Sequence, residues 1–287
     1  MLWFLFAILA AVLNAVMNVY AKKLMNKSDS YVTAWARPFF ALPFLVPFLF
    51  FVEWPQLSLP FLLAVFSGAV LNVIGQPMQM KALKISPLWK TVPMLNFTPV
   101  FLLFLSPMVL GETASYLGLF GVIFVVIGSY MLNVSESHKG FFAPVKALLD
   151  DKGSRYMFIV SLLFCFAVMA EKAALSYSNV IFFIVFYYLV ISVLHVPVMI
   201  YKKLDVVGEV RKHYKGFFVL ALITAVIIFS QTYAISIANV SYVSALKRLS
   251  VLFTIVLGHH LFDERNLRDH MFAAFLMVAG VVMISFG

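Results

Sequence analysis

The stretch Val240-Ser-Tyr-Val-Ser-Ala-Leu-Lys-Arg-Leu-Ser-Val-Leu-Phe-Thr-Ile-Val-Leu-Gly-His-His-Leu-Phe262 decides how this chain folds. It is long and apolar enough to cross a bilayer, which takes about 20 apolar residues in helical form. It also carries two adjacent cations, Lys247 and Arg248, a third of the way along. A charge near the centre of a spanning helix costs about 2.5–3.5 kcal/mol on insertion. Two such charges facing lipid would threaten the segment. Both observations are satisfied if the pair faces a protein interior or a watery cavity, where it can hold an anionic group.

The rest of the chain has the same character. Of its 287 residues, 63% are hydrophobic and 11% charged, whereas a soluble domain is about half apolar and a quarter charged. This composition is that of a polytopic membrane protein. Apolar runs near 2–21, 32–52, 60–80, 91–110, 114–134, 156–176, 180–201, 216–237, 241–262 and 268–287 predict ten spans. Runs of this length without strict alternation predict helices rather than barrel strands. The first run has no basic residues before it and no small-residue cleavage site, so it reads as a span and not a signal peptide. A single cysteine, Cys165, excludes a disulfide framework.

The net charge of +9 does not point to nucleic acid, because the basic residues flank spans. Lys22, Lys23 and Lys27 follow the first span; Lys81, Lys84 and Lys90 the third; Lys139, Lys146, Lys152 and Arg155 the fifth. Lys202, Lys203, Arg211, Lys212 and Lys215 follow the seventh, and Arg265 and Arg268 the ninth. The loops after even-numbered spans hold none. The positive-inside rule then makes the odd loops cytoplasmic and puts both termini outside.

An offset of 152 residues relates the two halves. Ala15-Val-Met recurs as Ala167-Val-Met, Gly111-Glu112 as Asp263-Glu264, and Val126-Ile-Gly128 as Val278-Ala-Gly280. Each half holds five spans, so the second enters the membrane upside down, in agreement with the alternating loop charges. The expected architecture is all-α and integral to the membrane: ten transmembrane helices as two inverted five-helix repeats. The first repeat covers 1–134, a cytoplasmic linker 135–155, and the second repeat 156–287. Inverted repeats with a site at their interface are common in secondary transporters. In the linker, Phe141, Phe142, Val145, Leu148 and Leu149 stand near helical spacing beside Lys139, Lys146 and Lys152, which suits a surface helix or a solvated connection.

Leu110-Gly-Glu112, Gly121, Gly128, Phe262-Asp-Glu264, Gly280 and the Asn18…Lys23 end of the first span resemble the drug/metabolite transporter superfamily, in its ten-span EamA-like branch. The resemblance covers essentially the whole chain and implies a ten-helix transporter without a cofactor. Ala15-Val16 stand where that family often has Trp-Gly. The family usually keeps both termini cytoplasmic, the opposite of the orientation that the loop charges indicate here. Ala245-Leu-Lys-Arg-Leu-Ser-Val251 also resembles the Lys-Arg stretch of plastid phosphate translocators, a related branch in which the pair binds phosphate. That resemblance implies an anionic substrate.

Several constellations can carry function. Ser244, Lys247, Arg248 and Val251 share a broad helical face, and Lys and Arg both suit carboxylate or phosphate. A structural ion pair is the alternative. Pro93-Met-Leu-Asn96-Phe-Thr98-Pro99 predicts a broken helix, and the offset pairs Asn96 with Arg248. Gln76 and Gln231 occupy repeat-related positions near Asn72, Gln79, Ser230 and Tyr233. They suit substrate contact or helix-to-helix bonding. Asn18 and Tyr20 extend the candidate lining from the first span. Glu171, beside Lys172, is the one acidic residue well inside a span and the candidate for proton coupling or for balancing Lys247 or Arg248, with an interfacial charge as the alternative; Arg37 reads as an interfacial charge or a substrate contact, and His195 as a satisfied polar residue. His259, His260, Asp263 and Glu264 form i,i+4 pairs but read as a polar helix end, so no metal site is expected. No Walker A loop, His-Glu-x-x-His or Gly-x-Ser-x-Gly motif occurs, which speaks against an enzyme.

The reading is a secondary transporter of a small anionic metabolite, with the bilayer as its surroundings and a coupling proton or exchanged anion as its drive. The substrate-binding set is Lys247, Arg248, Asn96, Gln76, Gln231, Tyr233, Ser244, Asn18 and Tyr20. The expected location is a bacterial inner membrane. Alternatives are a flippase for a phosphorylated polyprenol or lipid, an exporter of neutral or amphipathic compounds, and, from another class, a membrane enzyme or sensor.

Overall fold

A computed structural model describes residues 2–25, 27–87, 91–137, 150–250, 252–254, 257 and 271–286. The described residues form ten α-helices: α1 (Leu2–Met25), α2 (Ser30–Leu45), α3 (Leu59–Ile85), α4 (Phe97–Leu110), α5 (Tyr116–Ser137), α6 (Lys152–Leu175), α7 (Val180–Tyr201), α8 (Val206–Ile237), α9 (Val240–Lys247) and α10 (Met271–Phe286). No strand occurs among them. Six helical segments are long and apolar enough to span a bilayer: α1, α2 continued to Phe51, α3, α6, α7 and α8. Phe97–Leu110, Tyr116–Gly128 and Phe275–Ile284 are shorter apolar helices.

Helix starts are written in short polar side chains. Asp29, Ser58, Asp151, Asn179, Asp205 and Asn239 cap α2, α3, α6, α7, α8 and α9, each accepting from backbone N–H groups of the first turn. The structure refines the expected spans in three places. The second span ends in a 3₁₀ turn, Val46–Phe51, just after Pro43, whose ring removes a helix donor. The eighth begins earlier than hydropathy indicates, because α8 runs from Val206 through a kink at His213 (φ −121°, ψ 21°). The fourth opens with a 3₁₀ turn, Val92–Asn96, before α4.

The helix pairings reproduce the internal repeat. Exchanging α1–α5 with α6–α10 maps the α3–α6 packing onto α8–α1, α2–α8 onto α7–α3, and α4–α6 onto α9–α1. The α2–α7 and α5–α10 pairs map onto themselves. At the α5–α10 crossing the backbones touch: a Cβ on Gly121 would lie 2.6 Å from the Gly280 carbonyl oxygen, and one on Gly280 would lie 2.5 Å from that of Gly121. Small residues allow such crossings in apolar surroundings, where packing rather than water drives association. Two of the glycines that carried the family resemblance thus have a steric reason.

Opposite the end that carries the basic loops, the α4–α5 turn is clasped to the α8–α9 turn. Gly111 takes a positive φ of 70°, which turns the chain so that Glu112 faces α9. Its Oε2 accepts from the Val240 N–H at 2.9 Å, and Oε1 ion-pairs with Lys172 Nζ at 3.2 Å. Lys172 Nζ also donates to the Ile235 and Ala238 carbonyls, at 2.6 and 3.0 Å. Tyr242 OH accepts from the Ser115 N–H at 2.8 Å. Lys172 is thus a half-buried tie between α6, α8 and the start of α9.

Candidate functional site

A central cavity of about 130 Å³ lies between the two sets of five helices. Asn14, Met17 and Asn18 reach it from α1, Arg37 from α2, and Asn72, Gln76 and Gln79 from α3. Leu95 and Thr98 enter around the start of α4, Glu171 from α6, and Tyr187 and Tyr188 from α7. Thr224 and Gln231 enter from α8, and Ser244, Lys247 and Arg248 from α9. Elements related by the repeat therefore face each other across one space.

The two cations sit where the helix breaks. Arg248 closes α9 with its N–H bonded to the Ala245 carbonyl at 2.9 Å, a one-residue-tighter turn than an α-helix makes. Its repeat partner Asn96 ends the 3₁₀ turn before α4. Both halves thus interrupt regular helix at equivalent depth. Irregular backbone inside a membrane is tolerated only against protein or a cavity, and here the cavity is present. The partial negative charge at the end of α9 also favours cations beside it.

Hydrogen bonds orient the lining. Lys247 Nζ donates to Gln231 Oε1, and Arg248 Nε donates to the Ser244 carbonyl at 3.1 Å. Thr232 Oγ1 donates to Glu171 Oε1 at 2.7 Å. On the other wall Gln76 Nε2 donates to Asn72 Oδ1 at 3.0 Å, and Asn72 Nδ2 to Tyr187 OH at 2.8 Å. Arg37 Nη1 donates to Met17 Sδ at 3.7 Å. Among the described residues no carboxylate ion-pairs with Arg37, Lys247 or Arg248 at contact distance. Asn18 Oδ1, Gln76 Oε1 and Arg37 Nε are buried without a partner. Buried polar groups are normally paired, so these atoms are free for an occupant.

Of the residues singled out from sequence, Lys247, Arg248, Gln76, Gln231, Ser244, Asn18 and Glu171 meet in this cavity. Tyr20 and Tyr233 do not. Tyr20 packs against the hydrophobic core, and Tyr233 stacks with Phe6 and Phe229 at centroid distances of 4.7 and 6.1 Å. The backbone of Asn96 stands at the break; its side chain lies outside the described residues, as do His259, His260, Asp263 and Glu264. Among the described residues no cluster of three His, Cys, Asp or Glu could hold a metal. His195 is half satisfied: its Nδ1 meets the Ile191 carbonyl at 2.8 Å, and its Nε2 is buried without a partner. Sequence reasoning passed over Tyr187 and Tyr188, since aromatics in an apolar helix look like core. Arg37, read as an interfacial charge or a substrate contact, lines the cavity.

Comparison with known proteins agrees with this architecture. A protein of known crystal structure superposes with a TM-score of 0.76 at 12% identity, over 99% of this chain and 98% of the other. That likeness shows the fold alone. No match was found among curated proteins. The model of the EamA-like transporter family matches residues 1–134 and again 151–286. With both halves matched and helices that cross a membrane several times, the chain is a multi-pass membrane protein that belongs to the EamA-like transporter family.

Proposed function

We propose that the protein is a secondary transporter that moves a small anionic metabolite, a carboxylate or a phosphate, by alternating access through the central cavity. The observation that carries this reading is Lys247 and Arg248 side by side in the cavity with no carboxylate in contact. Uncompensated charge at membrane depth is costly, and an anionic solute would supply the missing partner. Arg248 offers a planar fork and Lys247 a compact charge. Ser244, Gln231, Gln76, Asn18 and Asn96 hydrogen-bond the rest of the solute, and the free acceptors Asn18 Oδ1 and Gln76 Oε1 favour one that carries hydroxyl or amino donors.

In this reading ten spans form two inverted five-helix repeats, 1–134 and 156–287, joined by a cytoplasmic linker at 135–155. The exchange symmetry of the helix pairings supports that arrangement, and rocking one repeat against the other would expose the site to either side. Glu171, 5% exposed and hydrogen-bonded to Thr232, is the group for a coupling proton; exchange of one anion for another is the other drive compatible with the site. In this reading the protein sits in a bacterial plasma membrane, and the loop charges favour both termini outside the cytoplasm.

The test is purified protein titrated with a panel of small carboxylates and phosphates, with thermal stabilisation as the readout. The best anion should stabilise the parent, and Lys247→Ala and Arg248→Ala should each weaken that ligand at least about tenfold, the worth of one charge-assisted hydrogen bond. Equal stabilisation of parent and variants would sink the cation site. A tag on Gly287 that reacts from the cytoplasmic side would overturn the orientation.

A further inference from the structure

Lys247 and Arg248 are not the only cations in the cavity. Arg37 lines it too, and its environment is poor. Met17 Sδ, a weak acceptor, is the one partner its guanidinium shows among the described residues, and its Nε is buried with none. The charge count is uneven. Arg37, Lys247 and Arg248 face a single lining carboxylate, Glu171, which is engaged by Thr232. Two positive charges are left over among the described residues.

These charges enter from different walls of the cavity, near enough that Arg37 repels Lys247. Arg37 lies about 10 Å along α2 from Ser30, which starts at the end of the basic loops. Arg248 lies about 12 Å along α9 from Val240, which starts at the opposite end. Helix α2 packs on α1, α3, α7 and α8, and α9 on α1, α4, α5, α6, α8 and α10; the two share neighbours and make no extensive packing on each other. One compact anion held by Lys247 and Arg248 would leave Arg37 without a counter-charge.

We infer that the solute carries two separated anionic groups, one held by Lys247 and Arg248 and the second by Arg37 across the cavity. This rests on the cavity being the anion site proposed above. The second group is a carboxylate or a phosphate, which a guanidinium fork binds in the same two-point manner. Arg37 is then the residue that separates dianionic from monoanionic solutes.

The experiment uses pairs of probes that differ by one anionic group: butyrate against succinate, pentanoate against glutarate, and glycerol 3-phosphate against 3-phosphoglycerate. Affinities come from thermal-shift titrations of the full chain in detergent. For at least one pair the parent should bind the member with two anionic groups about 10- to 100-fold more tightly than the member with one. Arg37→Gln should bring the two members together, weakening the member with two anionic groups at least about tenfold more than the member with one. Lys247→Ala should weaken both members. Arg37→Lys keeps a point charge without the fork and should retain part of the preference; it also serves if Arg37→Gln does not fold, an unchanged preference then counting against the inference. A parent that binds both members equally, or an Arg37→Gln protein that keeps its preference or loses both ligands alike, overturns the second anchor and leaves the Lys247–Arg248 site standing. A parent that responds to none of the six probes defeats both readings. The third pair tells whether the cavity accepts a phosphate beside the carboxylate that the pair members differ by.

Discussion

Replacing Glu112 by alanine removes two interactions that tie the ends of the helices together. The first is the charge-assisted bond from the Val240 N–H, 2.9 Å long, at the start of α9. Such bonds contribute about 1.5–3 kcal/mol, and a carboxylate at a helix N-terminus about 0.3–1 kcal/mol more. The second is the ion pair with Lys172 at 3.2 Å, whose side chains are 22% and 16% exposed; partial solvent screening limits it to about 0.5–1 kcal/mol. Lys172 keeps the Ile235 and Ala238 carbonyls, so its charge is not stranded. The expected loss is about 2–5 kcal/mol, which lowers the melting temperature by roughly 3–8 °C for a chain of this size. The protein supplies its own assay, because Cys165 is the sole cysteine and fully buried: a thiol-reactive fluorophore labels it only on unfolding. Glu112→Gln keeps an acceptor for Val240 and should fall between parent and Glu112→Ala. The double change with Lys172→Met should show a coupling of about 0.5 kcal/mol or more. A Glu112→Ala protein that melts with the parent would refute the clasp.

Other perturbations have signs that the geometry decides. Gly121→Ala or Gly280→Ala places a methyl group within 2.6 Å of the facing carbonyl oxygen and should cost about 1–3 kcal/mol by overpacking; a melting point equal to the parent's would show that α5 and α10 cross elsewhere. Gly111 has open space around a Cβ but a positive φ, so Gly111→Ala should cost about 1 kcal/mol and Gly111→Asn less. Tyr242→Phe strands the Ser115 N–H and should lower stability by about 1–3 kcal/mol, which a chemical-denaturation midpoint would register. Thr232→Val removes the donor to Glu171; uptake into proteoliposomes should change its dependence on an imposed proton gradient if Glu171 carries the coupling proton, and an unchanged dependence would exclude that role.

Much of the architecture was legible before any coordinates. The six long spans follow from apolar runs alone, and the starts of α2, α3, α6, α7 and α8 coincide with Asp, Asn or Ser caps visible in the chain. The 152-residue offset paired Asn96 with Arg248, and the structure interrupts helix at both. The burial of Arg248 followed from the cost of placing a cation in lipid. Other features were not legible. Arg37 stands one or two turns from the start of its helix, a position that reads as interfacial. Thr232 and Tyr233 are neighbours pointing about 100° apart, and no periodicity says which of them turns inward. Thr232 meets Glu171, while Tyr233 packs on Phe6 and Phe229.

The chain by itself determined that it spans a membrane, that its halves repeat, and that two cations in one span need company other than lipid. Those conclusions rest on local quantities: the length of an apolar run, the sign of loop charges, the cost of a buried charge. Tertiary packing alone decided which side chains share the cavity. How α1, α2, α7 and α8 turn about their axes depends on side chains meeting across more than a hundred residues of sequence. That rotation brings Arg37 into the space that Lys247 and Arg248 face.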